Sequence, residues 1–173
     1  MQKKTFLFII IVGIVSLLTY LGYGFIIKTK EKNAIGQQIR TIPEFEILAL
    51  NKKPFSDLNL KSNLNTVFIY FNSECDLCQY EAKNIKQYIS DFNKTQIVFV
   101  SSEPIDYIVK FSQEYNFNEH SNVIFLHDTD GDFSKLFNIK SIPYLFIYDK
   151  DQKLIKKHKG QLNANSIIKA LNQ

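Results

Sequence analysis

The residues best suited to chemistry stand together as Cys75-Asp76-Leu77-Cys78, and the chain has no other cysteine. They fall where a continuous apolar run, Thr66-Val67-Phe68-Ile69-Tyr70-Phe71, gives way to helical spacing in Cys78, Ala82, Ile85, Ile89 and Phe92. A thiol at a helix N-terminus meets free backbone N–H groups and the positive end of the helix dipole, both of which stabilise a thiolate. Cys75 is therefore the expected nucleophile. Cys78, three residues on and on the apolar stripe, is expected to be shielded from solvent yet within reach of Cys75. Such a pair can attack a disulfide, form a mixed disulfide and release it by closing its own ring.

Three other readings of the pair stand beside this one. A zinc half-site needs two further ligands, and His120, His127 and His158 lack the usual histidine spacing. A structural disulfide would close only a very short loop and contribute little stability. Two unrelated buried thiols at this spacing are the third.

The elements that position the cysteines alternate. Phe45–Leu50 reads as a strand leading into the turn Asn51-Lys52-Lys53-Pro54. The run from Thr66 to Phe71 suits a strand buried on both faces of a mainly parallel sheet. A strand follows at Gln96–Val100. Ser102-Glu103-Pro104 then opens a helix, with Ser102 as its cap and Ile105, Ile108, Val109 and Tyr115 facing inward. Val123–Leu126, Tyr144–Tyr148 and Leu154–Lys157 are further strands, and Asn165–Leu171 is a closing helix. The order is that of an α/β fold with a late hairpin.

Four stretches carry a family likeness. They are Pro43-Glu44-Phe45-Glu46-Ile47 with Ser56-Asp57-Leu58; Val67–Phe71 with Cys75-x-x-Cys78-x-x-Glu81; Phe137 to Asp149 around Ser141-Ile142-Pro143; and Gly160 with the last helix. From about Ile42 onward the chain resembles the thioredoxin fold, and within it the TlpA-like or redoxin branch of membrane-tethered thiol–disulfide oxidoreductases. The resemblance implies a central mixed sheet flanked by helices, with an added N-terminal β-hairpin. It also implies that Ile142–Pro143 is cis and packs beside the cysteines, exposing the backbone of Ile142 to a substrate strand. A strand-initiating trans proline is the alternative, since proline is awkward inside a strand. Glu81, one helical turn beyond Cys78, is read either as a carrier of protons between the thiols or as an exposed surface glutamate.

The chain also departs from that pattern. Glu74 precedes Cys75 where the family often has Trp, Lys83 stands where a helix-kinking proline is common, and the active-site strand carries no buried Asp. A peroxidatic pattern P-x-x-x-[ST]-x-x-C needs proline at 68 and Ser or Thr at 72, but the chain has Phe68 and Asn72. Copper-delivering relatives space their cysteines one residue wider, although His127 keeps a metal-handling reading in view. Asp128-Thr129-Asp130-Gly131-Asp132 lacks the glycine and glutamate positions of a calcium loop and reads as a polar turn before a short helix.

Charge is distributed unevenly. The formal net charge is +4, and Lys3, Lys4, Lys28, Lys30 and Lys32, set against Glu31 alone, account for all of it. The remainder is formally neutral. Lys150, Lys153, Lys156, Lys157 and Lys159 form a solvated face with no aromatic interleaving, so nucleic acid is not an expected partner. Phe6 to Ile27 carries no charge, and as a helix at about 1.5 Å per residue it would cross a hydrocarbon core of roughly 30 Å. The run exceeds an ordinary signal core and lacks an A-x-A site, which favours an uncleaved anchor, while Gly22 and Gly24 offer a weak cleavage site. Flanking charges do not settle its orientation.

The expected organisation is a basic tail over 1–5, a transmembrane helix over 6–27, a tether over 28–40 and a thioredoxin-like domain over 41–173. The expected activity is thiol–disulfide exchange on the outer face of a bacterial inner membrane, as a reductase of envelope protein disulfides. Its expected partners are thiol- or disulfide-containing envelope proteins, a membrane redox partner and the bilayer. The site residues are Cys75, Cys78 and Glu81, with Ile142 and Pro143 for substrate, and neither cofactor nor metal is implied. The rival reading is a non-catalytic thioredoxin-like binding module or a copper-handling relative.

Overall fold

The computed structural model describes residues 13–14, 16–24 and 35–172. They fall into two units, Met1–Gln38 and Ile39–Gln173. In the first, residues 13–14, 16–24 and 35–38 are helical, and the Thr19 hydroxyl donates to the Ser16 carbonyl at 2.8 Å.

The expected membrane helix over 6–27, and with it the single-pass inner-membrane placement, must be corrected. Among the described residues no helix is long and apolar enough to cross a membrane. The longest described helical run in this unit, residues 16–24, extends over about 14 Å, roughly half of a hydrocarbon core of roughly 30 Å. An uncharged run sets hydrophobicity but not helix length. Residues 6–12, 15 and 25–27 of that expected span, the expected tail over 1–5 and residues 28–34 of the expected tether lie outside the described residues.

The second unit is built on one sheet. Its elements are β1 (Glu46–Ala49), β2 (Pro54–Ser56), β3 (Asn65–Tyr70), α1 (Asp76–Gln87), β4 (Thr95–Ser101), α2 (Ile105–Glu114), β5 (Val123–His127), α3 (Asp132–Leu136), β6 (Tyr144–Tyr148), β7 (Leu154–Lys159) and α4 (Ala164–Leu171). The strand order is β2-β1-β5-β4-β3-β6-β7. β3, β4 and β5 pair in parallel, and every other pairing is antiparallel, so the sheet is mixed. The parallel pairs require crossovers, supplied by α1 between β3 and β4 and by α2 between β4 and β5. β1 and β2 form the N-terminal hairpin, which extends the sheet beyond β5.

Alternation along the central strands creates two cores. Val67, Ile69 and Phe71 point to one face, where they meet Cys78, Ala82 and Ile85 of α1, Ile108 and Phe111 of α2 and Ile167 of α4. Phe68 and Tyr70 point to the other, packing with Phe133, Phe137, Phe146 and Tyr148. That second face mixes aromatic rings with aliphatic side chains such as Ile47, Val98 and Leu126, and Phe133 stacks on Phe137 with ring centroids 4.2 Å apart.

Two local details differ from the sequence expectation. α2 is capped by Pro104 with no side-chain bond, so Ser102 is not its cap. Its buried residues are Ile108, Phe111 and Ser112, whereas Val109 is half-buried; Tyr115, at the C-cap, is half-buried and packs against the core as expected. Phe111 is drawn inward by Phe71, their rings 4.6 Å apart. The packed unit also begins at Ile39, which is 1% exposed. The Tyr148 hydroxyl donates to its carbonyl at 3.1 Å, and the Leu154 amide donates to that of Arg40 at 2.8 Å. Ile39 lies between Gln37-Gln38 and Arg40-Thr41, and such polar flanks give little sequence signal of its docking.

Candidate active site

Beyond β3 the chain must turn sharply to start α1, and Asn72 makes that turn. Its side-chain oxygen accepts from the Glu74 amide at 2.9 Å, and its carbonyl accepts from the Cys75 amide at 3.2 Å. Cys75 is the N-cap of α1, with extended backbone and no side-chain capping bond, so its sulfur is left for other work. Its carbonyl accepts from the amides of Cys78 and Gln79, each at 2.9 Å. Cys75 is half-buried, Cys78 is 2% exposed, and both are free thiols.

The electrostatics separate the two sulfurs. Burial pushes the Cys78 thiol well up, assisted by its hydrogen bond to Cys75 and by the charges of Cys75 and Glu81, with only a backbone bond from Asn72 opposing. Cys78 is thus held protonated beside its more accessible neighbour.

Glu81 is 1% exposed and is no surface glutamate. One carboxylate oxygen, Oε1, accepts from the Leu162 amide at 2.8 Å, while among the described residues Oε2 has no partner. Burial pushes this carboxyl up to about 8, against the pull of the Leu162 amide. The acid can therefore gain and lose a proton near neutrality.

The Ile142–Pro143 peptide is cis. The antiparallel register pairs Tyr70 with Tyr144, which sets residues 142 and 143 alongside the turn that leads into Cys75. Pro143 is buried at the head of β6. Ile142 is 37% exposed, and among the described residues its backbone amide and carbonyl have no partner.

The segment from Gly160 to Ala164 links these parts. The Gly160 amide donates to the Pro143 carbonyl at 2.9 Å from a backbone φ of 88°, which favours glycine. Two residues on, Leu162 reaches Glu81, and the Ala164 amide donates to the Asn84 side chain at 2.6 Å. One short connection thus holds the proline loop, the buried acid and α1 in fixed relation. The sequence signals this role only through Gly160.

Other singled-out residues lie apart. His120 is bonded to Lys86 at 2.8 Å, and His127 to Thr129 at 3.3 Å. Among the described residues no group of three or more His, Cys, Asp or Glu side chains is placed to hold a metal. Asp128 is a buried structural acid. It accepts from the Tyr70 hydroxyl at 3.0 Å and from the amides of Phe133 and Ser134 at 2.9 and 3.0 Å, capping α3.

The sequence matches no functionally curated protein. Among solved structures, a secreted Mycobacterium tuberculosis disulfide oxidoreductase homologous to E. coli DsbE is similar at 17% identity, with TM-score 0.64 over 79% of this chain and 97% of that one. The peroxidoxin BcpB of the same organism is similar at 18% identity, with TM-score 0.66 over 76% and 94%. The pneumococcal exposed lipoprotein thioredoxin Etrx1 of Streptococcus pneumoniae is similar at 20% identity, with TM-score 0.57 over 75% and 98%. These likenesses establish a thioredoxin-like fold with a mixed sheet. The AhpC/TSA family model matches residues 39–157, taking in both cysteines, Glu81 and Pro143, and on that match the chain belongs to the AhpC/TSA family.

Proposed function

We propose that the protein is a thiol–disulfide oxidoreductase of the TlpA-like kind, reducing protein disulfides through Cys75 and Cys78. The observation that carries this reading is the asymmetry of the pair: a half-buried sulfur at the helix cap stands before a buried, protonated one a single turn later.

In the first step the Cys75 thiolate attacks one sulfur of a substrate disulfide. A Cys75–substrate bond forms, the substrate S–S bond breaks, and the departing sulfur leaves with the electron pair and takes up a proton. In the second step the Cys78 thiol gives its proton to ionised Glu81, and its sulfur attacks Cys75. The Cys75–Cys78 bond forms and the second substrate sulfur leaves as a thiolate. Two electrons pass from the pair to the substrate, and an external dithiol must restore the pair. Glu81 suits the second step because its unpartnered oxygen lies in the same buried region and titrates near neutrality. The unpaired backbone of Ile142 offers hydrogen bonds to an extended substrate segment next to the attacking sulfur.

A peroxidatic reading has support from the family but not from the site. The position that would carry a Ser or Thr hydroxyl is Asn72, whose side chain is committed to the Glu74 amide. Phe68, where that pattern needs proline, is buried among the rings of Phe45, Phe133, Phe137 and Tyr148.

Insulin reduction with dithiothreitol as electron donor tests the proposal. The full chain is expected to accelerate it, Cys75→Ser is expected to be inactive, and hydrogen peroxide consumption is expected to stay at background. Rapid peroxide consumption through Cys75 without insulin reduction would overturn the reading.

A further inference from the structure

Glu103 lies just past the end of β4, 30 residues from Ser73, and its carboxylate grips the turn that carries Cys75. Oε2 accepts from the Ser73 amide at 2.7 Å and from the Ser101 hydroxyl at 3.1 Å, while Oε1 accepts from the Ser73 hydroxyl at 2.8 Å. Ser101, itself fully buried, accepts in turn from the Glu103 amide at 3.2 Å. The remaining polar atom of Ser73, its carbonyl, accepts from the Gln79 side chain on α1 at 2.8 Å. Every hydrogen-bonding group of Ser73 is therefore held, two by Glu103 and one by the helix, and Cys75 follows two residues later.

Two charge-assisted bonds from Ser73 to one acid, and a third that ties that acid to Ser101, restrict the turn more than contacts with water would. A carboxylate disfavours a thiolate in its neighbourhood, so the service Glu103 gives Cys75 through the turn is geometric. Alignment of the attacking sulfur is such a service, because small misplacements of reacting groups cost large factors in rate.

We propose that Glu103 is a positioning residue that fastens the Ser73–Cys75 turn to β4 and so holds the Cys75 sulfur in line for disulfide attack. The inference rests on the exchange activity proposed above. It differs from a purely electrostatic role in the sign of its effect. A residue acting through charge alone speeds attack when neutralised and leaves the high-pH plateau rate untouched. A fastening residue lowers the plateau.

The test uses the reduced full chain with Cys78→Ser, so that one thiol reacts, mixed with the model disulfide 5,5′-dithiobis(2-nitrobenzoic acid) across a pH series. Glu103→Gln cannot accept on both sides and is expected to lower the plateau rate about tenfold; Ser73→Ala is expected to lower it about threefold. The double variant is expected to be no slower than Glu103→Gln alone, since both changes break one unit. Amide hydrogen exchange at Glu74 and Cys75 is expected to quicken about tenfold in Glu103→Gln, with β3 unchanged. A plateau within twofold of the parent, additive losses, or unaltered exchange at Glu74 and Cys75 would overturn the proposal. If Glu103→Gln does not fold, Ser73→Ala with the exchange measurement decides alone. Failure of the parent chain to react with any disulfide would defeat the exchange activity instead, and amide exchange would still judge the fastening.

Discussion

Two buried carboxylates, one in each core, show what separates a structural acid from a chemical one. Asp128 is 0% exposed and Glu81 is 1% exposed, so burial does not distinguish them. Partners do. Asp128 receives three donors, from Tyr70, Phe133 and Ser134, in an aromatic core away from the cysteines. Glu81 receives one, from Leu162, and its second oxygen is left bare in the core that contains Cys78. A carboxylate with one oxygen left without a donor carries the cost of burying its charge, and that cost holds Glu81 near its titration point. The same side-chain group is thus a rivet on one face and, in the proposed mechanism, a proton acceptor on the other.

In the proposed mechanism all chemistry lies on the Glu81 face, and the largest expected effect follows from that. Cys75→Ser should reduce disulfide exchange by at least about 1,000-fold with no comparable loss of stability, read by insulin turnover and thermal melting. Glu81→Gln should slow release of the mixed disulfide about 100-fold while leaving its formation within a small factor, which rapid-quench kinetics resolves.

On the opposite face the expectation inverts. Asp128→Asn points an amide donor at backbone donors and should cost about 2–4 kcal/mol in denaturant unfolding, with the exchange rate per folded molecule unchanged. A finding that Asp128→Asn instead alters the exchange rate would break the division.

Glu81 also gives stability a pH dependence of definite sign. Its carboxyl titrates at about 8 when folded and at the ordinary 4.5 when unfolded. Between those values the native state holds a proton that the unfolded state has lost. The stabilisation is therefore full below about pH 4.5, and a few kcal/mol of it disappears as pH rises through about 8. Glu81→Gln should flatten that decline, seen in urea titrations at pH 5 and pH 9. The smallest effect is expected from Tyr70→Phe, which removes one of three donors to Asp128 and should cost about 1 kcal/mol without touching activity.

Much of the fold was legible because its signals are local. The apolar run of β3, the stripe beginning at Cys78 and the proline at the head of β6 each announce an element within a few residues, and together they place Cys75 at a helix cap. Glu81 was legible as a candidate only because it follows Cys78 by one turn; its burial depends on Leu162, 81 residues away, which no pattern along α1 reveals. The Glu103–Ser73 contact spans 30 residues and joins polar side chains that read as ordinary loop. Asp128 sat in a polar turn suggestive of solvent, yet Tyr70 and α3 close over it. The uncharged stretch from Phe6 to Ile27 taught the opposite lesson, since composition alone suggested a span longer than any helix among the described residues. Long-range polar contacts and helix length are settled by packing, and periodicity does not encode them.

The central claim is that Cys75 attacks and Cys78 resolves. Its most direct test is mass spectrometry of the full chain carrying Cys78→Ser after incubation with a disulfide-linked model peptide. The account predicts one stable adduct, mapped to Cys75, that the unsubstituted chain releases within the same time. No adduct in the variant, or an adduct equally persistent on the unsubstituted chain, would contradict it.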